Sequence, residues 1–225
     1  MIKKCLYLLM VVIAAKARAQ FDESRVGIFV NTNQYYVNAN FLSSRSATGF
    51  GAGFVVVEPV TEHSEMMIEF GISRFRTEFL GRADEYSEPE WVPFSNDRFN
   101  LAVLYDYDVL NFYDDELALG VLAGPNLFLG NKYLVEDDAK ESYVLDPYYA
   151  TSDMMKIDEH HGKGALNLFG TVGVKARYRF IEGSVRYNFS ILNTWRAFPA
   201  VSDYITFSGR DAYLNLQLTF YIWGD

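Results

Sequence analysis

Apolar and polar side chains alternate one for one along much of this chain. The clearest run is near the end, where Ala212, Leu214, Leu216, Leu218, Phe220 and Ile222 are interleaved with Tyr213, Asn215, Gln217, Thr219, Tyr221 and Trp223. A β-strand turns successive side chains to opposite faces, so this segment has one apolar face and one polar face. It is also long enough for a tilted strand to cross a bilayer, which takes about 9–11 residues. The same period marks eight segments: 25–31, 47–58, 65–76, 98–108, 116–128, 164–178, 183–192 and 210–223. Their apolar sets include Met66, Ile68, Phe70 and Ile72 in the third, Leu101, Val103, Tyr105 and Tyr107 in the fourth, and Val185, Tyr187, Phe189 and Ile191 in the seventh. The first is the weakest, with Val26, Ile28 and Val30.

The connections alternate in length. Residues 59–64, 109–115 and 179–182 are short links, whereas 32–46, 77–97, 129–163 and 193–209 are long ones. Bacterial outer-membrane barrels have short periplasmic turns and long extracellular loops. This places Asn38, Tyr86, Asp146 and Ala200 outside, and Glu62, Asn111 and Glu182 on the periplasmic side. Lipid cannot satisfy a free sheet edge, so a spanning sheet must close on itself. The predicted fold is therefore all-β: an eight-stranded antiparallel up-and-down transmembrane β-barrel. Eight strands leave an interior that side chains just fill. The rings of Tyr105, Tyr107, Tyr187 and Phe220 are expected to face lipid near the periplasmic interface.

Residues 1–19 read as a secretory signal peptide: Lys3 and Lys4, an apolar stretch from Leu6 to Ala15, then small residues at Ala17 and Ala19. The expected mature domain is 20–225, a single outer-membrane barrel. Removing the leader's four basic residues moves the formal charge from −9 to −13, which argues against nucleic acid as a partner. Cys5 is the chain's one cysteine and lies in the leader, so disulfides and thiolate metal sites are excluded from the barrel. No apolar run after Ala19 reaches the length of a helical span.

Candidate chemistry is sparse. Gly49, Gly51 and Gly53 could suggest a nucleotide loop, but no helix follows them; room inside a narrow barrel is the better account. His63-Ser64-Glu65 could suggest acyl transfer, but adjacent residues of an extended chain point opposite ways, and the group reads as a solvated turn. Asp158-Glu159-His160-His161, with Glu136, Asp137, Asp138, Glu141 and Asp146, reads as a solvated acidic loop rather than a cation site. No cofactor, catalytic or metal residue is assigned.

The runs TGFGAGFVVVEP and MMIEFGISRFRTEF, with Glu69 followed by the Phe70-Gly71 pair, resemble the small outer-membrane barrels of the Bacteroidota grouped as PorT-type. The resemblance implies residence in the outer membrane. It also implies, for some members, service to the type nine secretion and gliding machinery.

The inward parity carries the remaining prediction. Glu69, Asp106 and Asp108 have it on the third and fourth segments, and Lys175, Arg177 and Arg186 on the sixth and seventh. In an eight-strand ring these two groups face each other. Buried charges need partners, so the six are expected to form a structural network that plugs the lumen. The resulting functional expectation is a non-enzymatic barrel whose surface loops serve binding or assembly. Its expected partners are outer-membrane lipid and lipopolysaccharide, the barrel-assembly machinery during insertion, and secretion-system proteins in the PorT-type version. A lipid-modifying enzyme and a narrow channel are the alternatives.

Overall fold

The computed structural model describes residues 24–40, 42–84, 86–112, 116–130, 133–146, 166–193 and 208–223. Among these described residues ten strands run in chain order: β1 (Arg25–Ala39), β2 (Ser44–Thr61), β3 (Ser64–Arg82), β4 (Glu90–Phe112), β5 (Leu117–Gly130), β6 (Leu134–Val135), β7 (Val144–Leu145), β8 (Leu166–Tyr178), β9 (Ile181–Ser190) and β10 (Gly209–Trp223). Eight of them, all but β6 and β7, form an antiparallel ring in sequence order. The ring closes where β10 pairs with β1, from Val26 opposite Trp223 to Ala39 opposite Gly209. The predicted eight-stranded up-and-down barrel is the observed fold.

The outward parity is also as read. Ile28, Val30, Phe50, Phe54, Ile72, Val103, Val121, Val172, Val174, Val185, Leu216 and Ile222 are exposed on the outer surface. A closed sheet wearing a continuous apolar belt is a lipid-facing wall, since in water such a surface would be an aggregation liability. Among the described residues no helix is long and apolar enough to span a membrane; the crossing is made by strands. Tyr105, Tyr107, Tyr187 and Phe220 all face outward, as expected, but Tyr187 pairs with Val172 and Leu214 and Tyr105 with Ala123, well away from the short-link ends of their own strands.

Several strands outrun their predicted ends. β1 continues to Ala39 and β4 starts at Glu90, so the connections expected at 32–46 and 77–97 shrink to 40–43 and 83–89. These extensions carry polar outward residues such as Thr32, Gln34 and Glu78, so apolar alternation does not mark them. β4 has 23 residues, roughly 75 Å at ~3.3 Å per residue, far more than a bilayer needs. Together β2, β3 and β4 build a tall wall on one side of the ring. The segment after β5 folds back onto this wall: β6 pairs with β4, and β7 continues the edge of β3.

The lumen is filled in layers. The upper part holds an aromatic cluster of Tyr35, Phe75, Phe79, Phe94, Phe128, Phe169 and Tyr213, joined by Leu145 of β7. Phe75, Phe128, Phe169 and Tyr213 contact one another edge to face, with centroids 5.0–5.8 Å apart. A second apolar group lower down joins Phe29, Val55, Val57, Met67, Leu104 and Leu122. Gly53 makes this packing possible. A Cβ there would lie 2.1 Å from the Phe70 carbonyl and 2.6 Å from Cζ of Phe29. We therefore expect Gly53→Val to cost on the order of 3 kcal/mol or more, above the usual range for overpacking because backbone is in the way. The check is the urea midpoint of the barrel refolded in detergent; an unchanged midpoint would show that β2 can move aside.

Candidate functional site: the charged lumen

The strand period places every charged residue of the lumen. Among inward positions Glu69 on β3, Asp106 and Asp108 on β4, Lys175 and Arg177 on β8, and Arg186 on β9 all point inside. The structure brings them together in two groups. In the lower one Lys175 is the hub. Its ammonium salt-bridges Asp106, and Asp108 at 2.9 Å. Arg177 bridges Asp108 at 3.2 Å. In the second group Arg186 Nη1 donates to both oxygens of Glu69, at 2.9 and 2.7 Å.

Each group includes residues that the sequence reading did not assign. Glu65, taken there as part of a solvated turn, is instead the second residue of β3. It accepts from Arg177 at 3.0 Å and pairs with Arg25, while the neighbouring His63 stays exposed in the turn. Glu182, placed in a periplasmic turn, is the second residue of β9 and is 1% exposed. It accepts from the Tyr221 hydroxyl at 3.0 Å and lies 4.0 Å from Lys175. Gln217 donates to Glu69 at 2.8 Å, and Arg186 Nε donates to Ser184 at 2.9 Å. The signal was available in each case. Glu65 shares parity with Met67 and Glu69, and Glu182 with Ser184 and Arg186, but both sat at the drawn segment ends.

Above these pairs lies a band of carboxamides and hydroxyls from Asn31, Ser73, Asn100, Asn126, Thr171, Asn188 and Asn215. The cavity among them is about 10 Å³, room for roughly one water. Higher still, Arg98 is 7% exposed and donates from Nη2 to the hydroxyls of Tyr35 at 2.7 Å and Tyr133 at 3.0 Å. Asp211 is 3.9 Å from the same nitrogen. The Arg98 guanidinium also lies over the rings of Tyr35 and Phe75, 4.8 and 5.2 Å from their centroids, a favourable cation–π position.

The loop carboxylates are not simply solvated. Glu136 takes a two-point bond from Arg76, at 2.7 and 2.8 Å, and Asp146 accepts from Arg82 at 2.8 Å. Glu90 accepts from Lys140 at 2.8 Å and from Tyr143 at 2.7 Å. The first of these bonds, then the second, holds the Glu90 carboxyl below its ordinary range. Asp137 caps the short helical turn Asp138–Lys140 through the Ala139 amide. Asp158, Glu159, His160 and His161 lie outside the described residues, as does Ala200. Among the described residues no set of three or more His, Cys, Asp and Glu is placed to hold a metal.

Among the described residues the interior thus offers paired charges and packed rings around a cavity of about 10 Å³. No family model matches this chain, and no curated protein matches it. Among solved structures, Ail, the attachment invasion locus protein of Yersinia pestis, aligns over 89% of this chain and 99% of its own, at 10% identity and a TM-score of 0.45. OprG from Pseudomonas aeruginosa aligns over 90% and 97%, at 8% identity and a TM-score of 0.47. Neisserial surface protein A covers 86% and 96%, at 14% identity and a TM-score of 0.42. These are distant likenesses in fold. The chain's own closed ring and apolar belt carry the assignment: this is a transmembrane β-barrel.

Proposed function

We propose that this chain is a closed, non-enzymatic outer-membrane barrel that works as a surface platform for binding or assembly. One observation carries the reading: the lumen is occupied from bottom to top by ion pairs, carboxamides, aromatic rings and Arg98, while β2, β3 and β4 rise far above the apolar belt. A channel needs a continuous wet path, and an acyl-transfer or hydrolytic site needs a cleft. What this barrel presents instead is a tall wall with the segment 133–146 fastened to it. In this reading residues 1–19, which lie outside the described residues, are a leader removed on export. The barrel-assembly machinery inserts the remainder, and the long connections face outward. The six predicted lumen charges hold the barrel shut and take no part in chemistry.

Two measurements test this. In planar bilayers the purified barrel should give no stable single-channel steps; well-resolved steps would favour the narrow-channel alternative. An epitope inserted beside Asp146 should be reached by antibody on intact cells, and one beside Asn111 should be hidden until the outer membrane is opened. The reverse pattern would invert the topology. The PorT-type resemblance supplies a finer version, in which the platform serves a secretion or gliding apparatus. A deletion strain with normal secretion and gliding would remove that version and leave the platform.

A further inference from the structure

We propose that Arg45, Arg74 and Arg76 form a binding site for the phosphate groups of an outer-leaflet glycolipid, lipopolysaccharide. The proposal deepens the reading above and rests on its outward orientation of the long connections.

The argument begins with where the belt stops. Going up the outer face of β3, the side chains are Met66, Ile68, Phe70 and Ile72, then Arg74 and Arg76. Ile72 is 65% exposed, so the change from hydrocarbon-facing to charged takes a single outward step. Arg74 pairs across with Phe50 of β2 on one side and Asp97 of β4 on the other. Phe50 is itself 62% exposed. The arginines therefore stand on the rim of the apolar belt, where lipid headgroups begin.

The geometry of each guanidinium matters more than the count of charges. Arg74 spends Nε and Nη2 on Asp97, at 2.7 and 2.8 Å. Arg76 spends the same two nitrogens on Glu136. Neither pair uses Nη1, and the two side chains remain 47% and 44% exposed. Arg45, one strand away, stands over the Trp91 ring at 4.5 Å, with its nearest carboxylate, Glu78, 3.7 Å off. Its side chain is 59% exposed. Three guanidiniums on two neighbouring strands are thus held in place by carboxylates or a ring, and each side chain stays 44–59% exposed. Arginine's planar fork suits phosphate oxygens, and fixing it beforehand lowers the entropy lost on binding. The carboxylates cancel much of the net charge, so recognition comes from directed hydrogen bonds rather than from a general basic field. On β10, Arg210 is exposed but stands apart from this sector, and serves as a control.

The test uses the refolded barrel in dodecyl maltoside, titrated with rough-form lipopolysaccharide, with the same material after dephosphorylation, and with inorganic phosphate. Removing the phosphates should weaken binding at least fivefold. The Arg74→Gln/Arg76→Gln double variant should bind intact lipopolysaccharide about as weakly as the wild type binds the dephosphorylated form. Arg45→Gln should fall between, and Arg210→Gln should match wild type. Equal affinity for both lipid forms, or an undiminished double variant, overturns the proposal. Inorganic phosphate binding as tightly as the lipid overturns it in favour of a free-anion site. Should the double variant fail to fold, Arg45→Gln decides, because it breaks only the 3.7 Å pair with Glu78 and no two-point bond; unchanged affinity there rejects the site. None of these outcomes bears on bilayer conductance, so the closed-platform reading stands or falls separately.

Discussion

Lys175→Met should be the most destabilising single substitution in the lumen, by on the order of 3–5 kcal/mol. The Lys175 side chain is 0% exposed, and its ammonium is within 4.0 Å of Asp106, Asp108, Glu65 and Glu182. Methionine fills similar volume but leaves Asp106 and Glu182, each 1% exposed, without their nearest cation. Arg177 can still serve Asp108 and Glu65, so the loss concentrates on the first two. The cost is thus that of stranded buried carboxylates, and this predicts a rescue. Adding Asp106→Asn to Lys175→Met should recover part of the loss, because one stranded charge is removed. Urea unfolding in detergent, followed by the gel shift between folded and unfolded barrel, measures both. A loss below about 1 kcal/mol would mean that water reaches this layer and screens it.

The exterior of this barrel was written in the sequence more plainly than its interior. Lipid demands apolar residues at every second position across the belt, so Leu214 to Ile222 or Val185 to Ile191 announce both strand and face. Above the belt that demand ends. Thr32, Gln34 and Glu78 are outward residues of strands just as regular, but water accepts any polar side chain there, and the period vanishes. That is why β1, β3 and β4 run on past their predicted ends. Inside, parity placed the six predicted charges in the lumen, and β-pairing register, which sequence does not give, decided who met whom. Register also brought in Glu65, Glu182 and Arg25 from strand ends where a boundary error of two residues erases parity. Tyr187 shows the same limit in depth: its face was legible, and its height was not. The Arg98 cluster was the least legible, because Tyr133 reaches it from a connection and Asp211 from the far end of β10.

Glu69 and Arg186 should show strong coupling in a double-mutant cycle. Both are nearly fully buried, with side chains 3% and 4% exposed, and they share a two-oxygen bond from one nitrogen. Removing either charge alone strands the other. Glu69→Gln leaves the guanidinium its hydrogen bond to Ser184 but no directly bonded carboxylate, and Arg186→Gln leaves the carboxylate its bond from Gln217 but no directly bonded cation. Each single variant should therefore lose about 3 kcal/mol, the lower end for a broken buried pair. The double variant replaces the pair by two neutral amides beside Gln217, which can donate and accept among themselves. Its loss should fall short of the sum by about 1.5–3 kcal/mol, the range for directly contacting partners. The lower network is a useful contrast. Glu69→Gln combined with Arg177→Gln should be nearly additive, because Arg177 bonds Glu65 and Asp108 and has no bond to Glu69. Additive losses in the first cycle would mean that the two charges are hydrated separately and that the pair does not hold the strands together. Coupling in the first cycle and additivity in the second would locate the plug's cohesion in two ion clusters, one joining β3 to β9 through Glu69 and Arg186 and one centred on Lys175 that draws in β1, β3, β4, β8 and β9.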